Sequence, residues 1–246
     1  MINGSKIWTT GAHSADKIFC LVRTSTEGKP QEGISFLLFD MKTPGITVKP
    51  IVMFSGDHEL NQVFFDNVRV PQSCRIGEEN QGWTVAKYLL EFERGGSYGA
   101  SIRAGIEKIR SIAQQEAAYG RPLIEDDEFR MKIARMDMEV RAVEISELRR
   151  LGALGDGERP GAESSVLKMR GTELGQVMTE LAMQAIGYYA QPHDRDYLSP
   201  GSNAEPIGPE YAATVTPRYF NYRKASIYGG SNEIQHNIIA KLILGL

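Results

Sequence analysis

The pattern of hydrophobic and polar positions changes once along the chain, near residue 79. Before it, short apolar or alternating runs rich in β-branched and aromatic residues are separated by glycine, proline, asparagine and aspartate. The runs are Ile18 to Val22, Ile34 to Phe39, Ile46 to Val52 and Val63 to Phe65. They predict an antiparallel β domain over residues 1–78. Because Ile2-Asn3-Gly4 resembles a strand entering a tight turn, we expect only the C-terminal part of that domain.

From Asn80 onward the apolar positions recur with helical spacing. The predicted helices are Trp83 to Ala118, Asp127 to Leu151, Glu163 to Tyr188 and Ser231 to Leu242. Residues 190–213, rich in proline, glycine, asparagine and aspartate, predict a long connection before the last helix. The prediction is therefore an α+β fold, with an up-down four-helix bundle over residues 79–246 following the partial β domain.

Apolar stripes indicate which helix faces are buried. The second helix carries apolar residues at spacings of 4, 3, 4 and 3: Phe129, Ile133, Met136, Val140 and Val143. The third helix is predicted to place on one side Leu174, Val177, Leu181 and Ala185. The last helix is predicted to carry in register Ile234, Ile238 and Leu242.

Composition narrows the class of protein. The 246 residues are 41% hydrophobic, enough for a sizeable core, and 28 basic against 31 acidic residues give a net charge of −3. This balance argues against a nucleic-acid binder. No apolar run approaches the roughly 20 residues of a membrane span, so we expect a cytoplasmic protein. Cys20 and Cys74 form no disulfide framework, and we expect both to be buried. The four histidines have no ligand spacing, which predicts no metal site.

Three short segments could carry chemistry, and each has a structural alternative. Ile7-Trp8-Thr9-Thr10-Gly11 could be a strand end with an aromatic core residue. Glu91-Phe92-Glu93-Arg94-Gly95-Gly96 could be a solvated ion pair, although two glycines inside a helix suggest a close approach to the backbone. Tyr228-Gly229-Gly230-Ser231 precedes a helix, where free N–H groups bind anions or polar ligands, but Ser231 could be a plain N-cap.

Taken in chain order, these segments resemble the acyl-CoA dehydrogenase family. The similarity rests on Asn3-Gly-x-Lys-x-Trp8-x-Thr10, Phe64-Phe-Asp-x-Val-x-Val-Pro71, Gly82-Trp83, Glu93-Arg94 and Tyr228-Gly-Gly-Ser-Asn-Glu-Ile-Gln235. It covers essentially the whole chain. The Tyr-Gly-Gly-Ser-Asn-Glu ending is similar to the long-chain branch and to bacterial members that act on branched or sterol-side-chain thioesters.

The resemblance implies FAD as cofactor, an acyl-CoA as substrate and an electron-transferring flavoprotein as partner. Trp8 and Thr10 match residues that lie against the isoalloxazine, and Ser231 matches a flavin-contacting residue. Gln184 and Gly187 match a segment that meets the FAD of a neighbouring subunit. Arg94, Tyr228 and Gly229 are assigned to the substrate. The family forms oligomers, so we expect a homo- or hetero-oligomer built as a dimer of dimers, such as a homotetramer, acting in lipid degradation by β-oxidation chemistry.

The resemblance also implies which residue is the base. Many family members carry their glutamate directly after the tyrosine of the last motif, where this chain has Gly229. A smaller branch carries it on the first bundle helix immediately before an arginine, and Glu93-Arg94 matches that arrangement. Glu93 is therefore the predicted catalytic base.

Two departures from the family pattern keep other functions open. The arginine of the family's Arg-x-x-Phe-Gly, which reaches a pyrophosphate across the dimer, is replaced by Glu116, with Arg121 as a possible compensation. The Gln-x-x-Gly-Gly segment becomes Gln184-Ala-Ile-Gly187-Tyr. A non-catalytic or half-site subunit of a mixed complex is one alternative. An acyl-CoA oxidase, which would produce hydrogen peroxide, is the other.

Overall fold

The chain forms two compact units. The structure is a computed structural model that describes residues 1–93, 97–157 and 161–246, with side chains for all of these except 91–93. One unit comprises Met1–Phe92 and the other Glu93–Leu246. The boundary between residues 78 and 79 stays a prediction from the sequence.

The first unit contains two small antiparallel sheets and all but the last residue of the first helix, α1 (Gly82–Glu93). Its strands are β1 (Ile2–Thr10), β2 (Lys17–Arg23), β3 (Ile34–Asp40), β4 (Ile46–Val52), β5 (His58–Val68) and β6 (Arg75–Ile76). In one sheet β5 lies between β1 and β4, and in the other β3 lies between β2 and β6.

The core of the first unit lies between the two sheets. Strand alternation turns one face of each strand inward, which buries Ile18 and Cys20 of β2 together with Val63 and Phe65 of β5. The ring of Phe39 meets that of Phe65 edge-on at 6.1 Å between centroids. Burial of Cys20 confirms its prediction, whereas Cys74 is only partly buried.

The second unit is helical, and with the sheets it confirms the predicted α+β class. Its helices are α2 (Gly99–Gln115), α3 (Asp127–Gly155), α4 (Glu163–Ile186), α5 (Val215–Tyr222) and α6 (Asn232–Ile239). A π-helical turn, Ala240–Leu244, extends α6. The core joins α2, α3 and α4. It includes the whole predicted stripe of α3, Phe129 to Val143, so the 3.6-residue period correctly identified the inner face of that helix.

The long first helix predicted over residues 83–118 is wrong in detail. Helix α1 ends at Glu93 and α2 begins at Gly99, with Ser97 and Tyr98 outside both helices and residues 94–96 outside the described chain. Helix α2 also ends earlier, at Gln115. There the chain turns into a short hairpin, β7 (Ala117–Ala118) and β8 (Arg121–Pro122), and left-handed Tyr119 and Gly120 form its tip.

Other helix predictions also need correction. Val177 is 40% exposed, because it lies on a groove between α3 and α4 that charged side chains line, although Leu174 and Leu181 are buried as expected. Ile234 of α6 and Leu242 of the π-helical turn that follows are exposed. The buried face of α6 is polar instead. The long connection before the last helix is irregular, as predicted, but α5 follows it and was not predicted.

Candidate functional site

The Trp8–Thr10 segment lies in a β-bulge. Along β1 the pairing advances from Lys6 opposite Val63 to Thr9 opposite Asn61, so β1 carries one residue more than β5 in this stretch. Trp8 takes a left-handed backbone conformation, with φ of 65°. Its side chain is 62% exposed, and Thr10 is exposed as well. The alternative that Trp8 is an aromatic core residue is therefore wrong.

A groove of about 370 Å³ runs along this segment, between β1 and β2. Trp8 and Thr10 line it from β1, and Phe19, 57% exposed, lines it from β2. Pockets for small ligands are typically mostly apolar with a few placed polar groups. The two exposed aromatic side chains and the threonine hydroxyl therefore fit a planar ring system with a polar edge, which is the chemistry of a flavin.

The two glycines of the Tyr228–Ser231 loop allow it a left-handed backbone conformation. Gly229 and Gly230 have φ of 64° and 81°, where residues with a side chain are strained. A Cβ at Gly229 would meet nothing closer than Cε of Lys168 at 4.0 Å. Space is therefore available at this position, and the left-handed conformation is what favours glycine there.

Ser231 begins α6, as expected for an N-cap, but its side chain does not cap the helix. The carboxylate of Glu233 has its pKa lowered by a hydrogen bond from its own backbone N–H and by a second from the Ser231 hydroxyl. Two oxygen-bearing side chains thus gather at the start of α6, and the Ser231 hydroxyl is engaged there.

A buried lysine, which the sequence motifs did not single out, binds the chain on both sides of the Tyr228–Ser231 loop. Lys168 of α4 is 2% exposed, and its Nζ donates to Oδ1 of Asn232 at 2.8 Å and to the Ser226 carbonyl at 3.4 Å. No described carboxylate lies within ion-pair distance of it, and burial lowers its pKa. Gln235, fully buried one turn further along α6, has no described hydrogen-bond partner for either amide atom. The interior of the helical unit is therefore polar where α4 meets the start of α6.

Gln184 and Gly187 lie at the opposite end of α4. Gly187 ends the helix with φ of 53°, and Oε1 of Gln184 accepts from Lys132 at 3.2 Å. Lys168 and Gln184 are separated by about 24 Å along the helix axis at 1.5 Å per residue. The structure therefore does not bring Gln184 and Gly187 together with Ser231 within this chain.

Glu93 is the last residue of α1, and its side chain lies outside the description, as does all of Arg94. The chain just after them is firmly anchored. The backbone N–H of Tyr98 donates to the Glu147 carboxylate at 2.5 Å, and that of Gly99 donates to it at 3.2 Å. Glu147 of α3 thus supplies a negative group at the N-terminus of α2, where the helix dipole favours it.

Glu116 forms a contact within its own unit. Its Oε1 accepts a hydrogen bond of 2.7 Å from the Tyr211 hydroxyl, in the long connection. Partial burial and this carboxylate raise the pKa of Tyr211 to about 12. The acidic residue at this position therefore ties the connection to the end of α2.

Comparison with known proteins identifies the family. The acyl-CoA dehydrogenase middle-domain model matches residues 1–68, and the C-terminal-domain model matches residues 80–244. The chain therefore belongs to the acyl-CoA dehydrogenase family, which confirms the resemblance drawn from its motifs.

Several relatives are bacterial enzymes. The chain is 34% identical to acyl-CoA dehydrogenase IpdE1 of Mycobacterium tuberculosis, over 100% of this chain and 59% of that protein. It is 33% identical to IpdE1 of Mycolicibacterium smegmatis, over 100% of this chain and 57% of that protein. The chain thus spans about three-fifths of the length of these relatives.

Solved structures share the fold. The ChsE4-ChsE5 complex from Mycobacterium tuberculosis matches with a TM-score of 0.80 and 28% identity, over 99% of this chain and 61% of that one. The Tcur3481-Tcur3483 steroid ACAD matches with a TM-score of 0.84 and 25% identity, over 99% of this chain and 60% of that one. Within the described part of the chain, no helix is long and apolar enough to cross a membrane. The same residues contain no group of three or more side chains that could hold a metal ion.

Proposed function

We propose that this chain carries the base and part of the flavin site of an FAD-dependent acyl-CoA dehydrogenase. The reaction is the α,β-dehydrogenation of an acyl-CoA thioester to the trans-2-enoyl-CoA, with electrons passed to an electron-transferring flavoprotein. The exposed Trp8 on its groove, in a chain that matches both family models, is the observation that carries the proposal. When bound, the flavin supplies the acceptor for the hydride that leaves the substrate's β-carbon.

Trp8, Thr10 and Ser231 are the proposed flavin contacts. Gln184 and Gly187, at the far end of α4, are proposed to meet the FAD of a neighbouring subunit. Gln184 lies about 24 Å along α4 from Lys168, which binds Asn232 next to Ser231. This distance supports the division, since one chain would hold parts of two flavin sites.

Glu93 is proposed to take the α-proton of the substrate, with Arg94, Tyr228 and Gly229 next to the thioester. A general base works best when its pKa lies near the operating pH. A free glutamate titrates at about 4.3, so the proposal requires that exclusion of water around the acyl chain raises the pKa of Glu93 towards the operating pH. Residues 229–231 of the loop after Tyr228 carry no carboxylate, and the next one along the chain, Glu233, is engaged by the Ser231 hydroxyl.

Substitution of the proposed base tests this assignment. Glu93→Gln should keep bound FAD but lose bleaching of the flavin by acyl-CoA under anaerobic conditions. Glu91→Gln, two residues earlier in α1, is the matched control and should bleach like the wild type. Normal bleaching by Glu93→Gln would assign the base to another residue.

A second candidate is a subunit that provides incomplete flavin sites in a mixed complex. Two observations favour it. Glu116 is bound to Tyr211 and places a negative charge where the family has its pyrophosphate-binding arginine. A structural relative is described as the ChsE4-ChsE5 complex. The flavin-to-protein ratio of the purified chain separates the two candidates, since a half-site subunit alone should bind little or no FAD.

Oligomer formation is proposed through an exposed apolar face of α3. Four large apolar side chains, each more than half exposed, recur along one face of this helix at spacings of 7, 7 and 3: Met131, Met138, Ile145 and Leu148. Such a stripe is typical of a helix that packs against another helix. We propose a homo- or hetero-oligomer arranged as a dimer of dimers in the cytoplasm. Light scattering of wild type and Met138→Glu tests it, and an unchanged mass would contradict the use of this face.

A further inference from the structure

In the bulge of β1, Trp8 is held in an unfavourable backbone conformation, with φ of 65°. A large aromatic residue rarely adopts positive φ, because its Cβ meets the backbone there. Such outliers persist only where the surroundings over-determine them. Trp8 itself is mostly exposed, so its own side chain packs too little to do this. The support must come from the neighbouring backbone.

Asn61 of β5 lies opposite the bulge and is fully buried. Its Nδ2 donates to the carbonyl of Thr9 at 3.0 Å, the residue that directly follows Trp8. The same amide nitrogen lies 3.4 Å from the carbonyl of Glu59. Because backbone carbonyls only accept, they fix the orientation of the amide. Oδ1 of Asn61 is then left to accept from Nε2 of His58, at 2.7 Å.

His13 completes this arrangement. A tight turn, in which Ser14 N donates to the Gly11 carbonyl at 3.0 Å, brings His13 back over the strand end. Nδ1 of His13 lies 3.2 Å from Nδ2 of Asn61 and, facing an amide N–H, accepts from it. The His13 ring also contacts that of His58, tilted by 33° with 4.2 Å between centroids. One buried amide thus links β5, the bulge and the following turn.

We propose that Asn61 and His13 are positioning residues for the flavin-contacting segment. By binding the carbonyl after Trp8 and the turn after Thr10, they hold the bulge that presents the indole to the groove. The inference rests on the proposed function as far as the flavin is concerned. The fixed geometry of Trp8 itself does not depend on that function and is measurable without a ligand.

The backbone of Trp8 is the first readout. In protein labelled with ¹⁵N-tryptophan, a left-handed residue gives a strong intraresidue cross-peak between amide and α-proton, because positive φ brings these atoms close. Trp83 in α1 is the internal reference. We expect the strong Trp8 cross-peak in wild type and its loss in Asn61→Leu. It should weaken in His13→Leu and return in His13→Asn, whose amide oxygen replaces the Nδ1 acceptor.

The affinity for FAD is the second readout, measured by quenching of flavin fluorescence. Asn61→Leu should weaken binding about tenfold and His13→Leu about fivefold. His13→Asn should stay within about twofold of wild type. Because His13 is exposed, its variants fold even if Asn61→Leu does not, and the pair His13→Leu and His13→Asn then decides the question.

Two results overturn the inference. One is a strong Trp8 cross-peak that persists in both Asn61→Leu and His13→Leu. The other is FAD affinity unchanged in variants whose Trp8 cross-peak is lost. If the cross-peak responds as expected while wild type binds no FAD, the positioning of Trp8 by Asn61 and His13 is upheld, and the proposed function is what fails.

Discussion

Gly171→Ala is predicted to destabilise the helical unit, although alanine is the better helix former. Gly171 lies on the buried face of α4, and the ring of Tyr98 packs directly on it. A Cβ built there would lie 2.1 Å from Cγ of Tyr98 and 2.6 Å from both Cδ atoms. Rotation about the ring axis cannot relieve this clash, because Cγ lies on that axis.

The magnitude follows from two opposing terms. Alanine gains about 1 kcal/mol over glycine inside a helix. Overpacking a tight contact costs about 1–3 kcal/mol, and here the cost falls at the upper end because the contact involves the base of the ring. We expect a net loss of about 2 kcal/mol. Gly152→Ala, in α3 with no atom within 4 Å of the new Cβ, is the matched control and should gain up to about 1 kcal/mol.

Urea unfolding followed by circular dichroism at 222 nm measures this difference. The signal reports mainly the helical unit, whereas both tryptophans, Trp8 and Trp83, lie in the first unit. In the background Tyr98→Ala, Gly171→Ala should become stabilising, because the ring it strikes is gone. Equal stabilisation by Gly171→Ala and Gly152→Ala in the wild-type background would refute the contact. The result also bears on the site, since Tyr98 anchors the chain that leaves Glu93 and Arg94.

Three further predictions concern single contacts. Glu147→Ala removes the acceptor for the first N–H groups of α2, so the free energy of unfolding in urea should fall by about 1–2 kcal/mol. Glu147→Gln should recover part of this loss. Full stability in Glu147→Ala would contradict this role. Tyr211→Phe should lose about 1 kcal/mol at pH 8. The pKa of Tyr211 is raised to about 12 in the folded state from an ordinary value near 10. The stability that its hydroxyl contributes is therefore complete below pH 10 and disappears as the pH rises through 12. Difference absorbance at 295 nm follows the titration of Tyr211, and titration near pH 10 would count against the contact with Glu116. Gly229→Ala should cost about 1 kcal/mol in unfolding experiments because of its positive φ, and a neutral effect would mean that the loop adopts another conformation.

The sequence predicted the fold class and the inner face of α3 because both depend on periodicity that is maintained over many residues. It predicted one continuous helix from Trp83 to Ala118 and so missed the break at Ser97 and Tyr98, although no apolar residue stands between Phe92 and Tyr98. The glycines at 95 and 96 were the available signal for that break. The cap that starts α2 comes from Glu147, about fifty residues away, and no local pattern reveals it.

Short motifs located the residues of the candidate site, but they did not identify the residues that hold those segments in place. Trp8 and Ser231 belong to recognisable segments, whereas Asn61 and Lys168 act through long-range hydrogen bonds that no local pattern reveals. In α6 the apolar spacing indicated the wrong face, since Asn232 and Gln235 are buried while Ile234 is exposed. Polar residues on an inner face, next to a buried lysine, are the exception to hydrophobic burial that a functional site produces.

The proposed function, in which this chain removes two hydrogen atoms from an acyl-CoA with the help of Glu93 and FAD, has one direct test. The protein is loaded with FAD and mixed anaerobically with a panel of acyl-CoA thioesters. Flavin absorbance and the mass of the thioester product are then followed together. We predict flavin bleaching matched by a product lighter by two hydrogen atoms, and neither change in Glu93→Gln. An FAD-loaded wild type that leaves every thioester unchanged, or a Glu93→Gln variant as active as wild type, would contradict the claim.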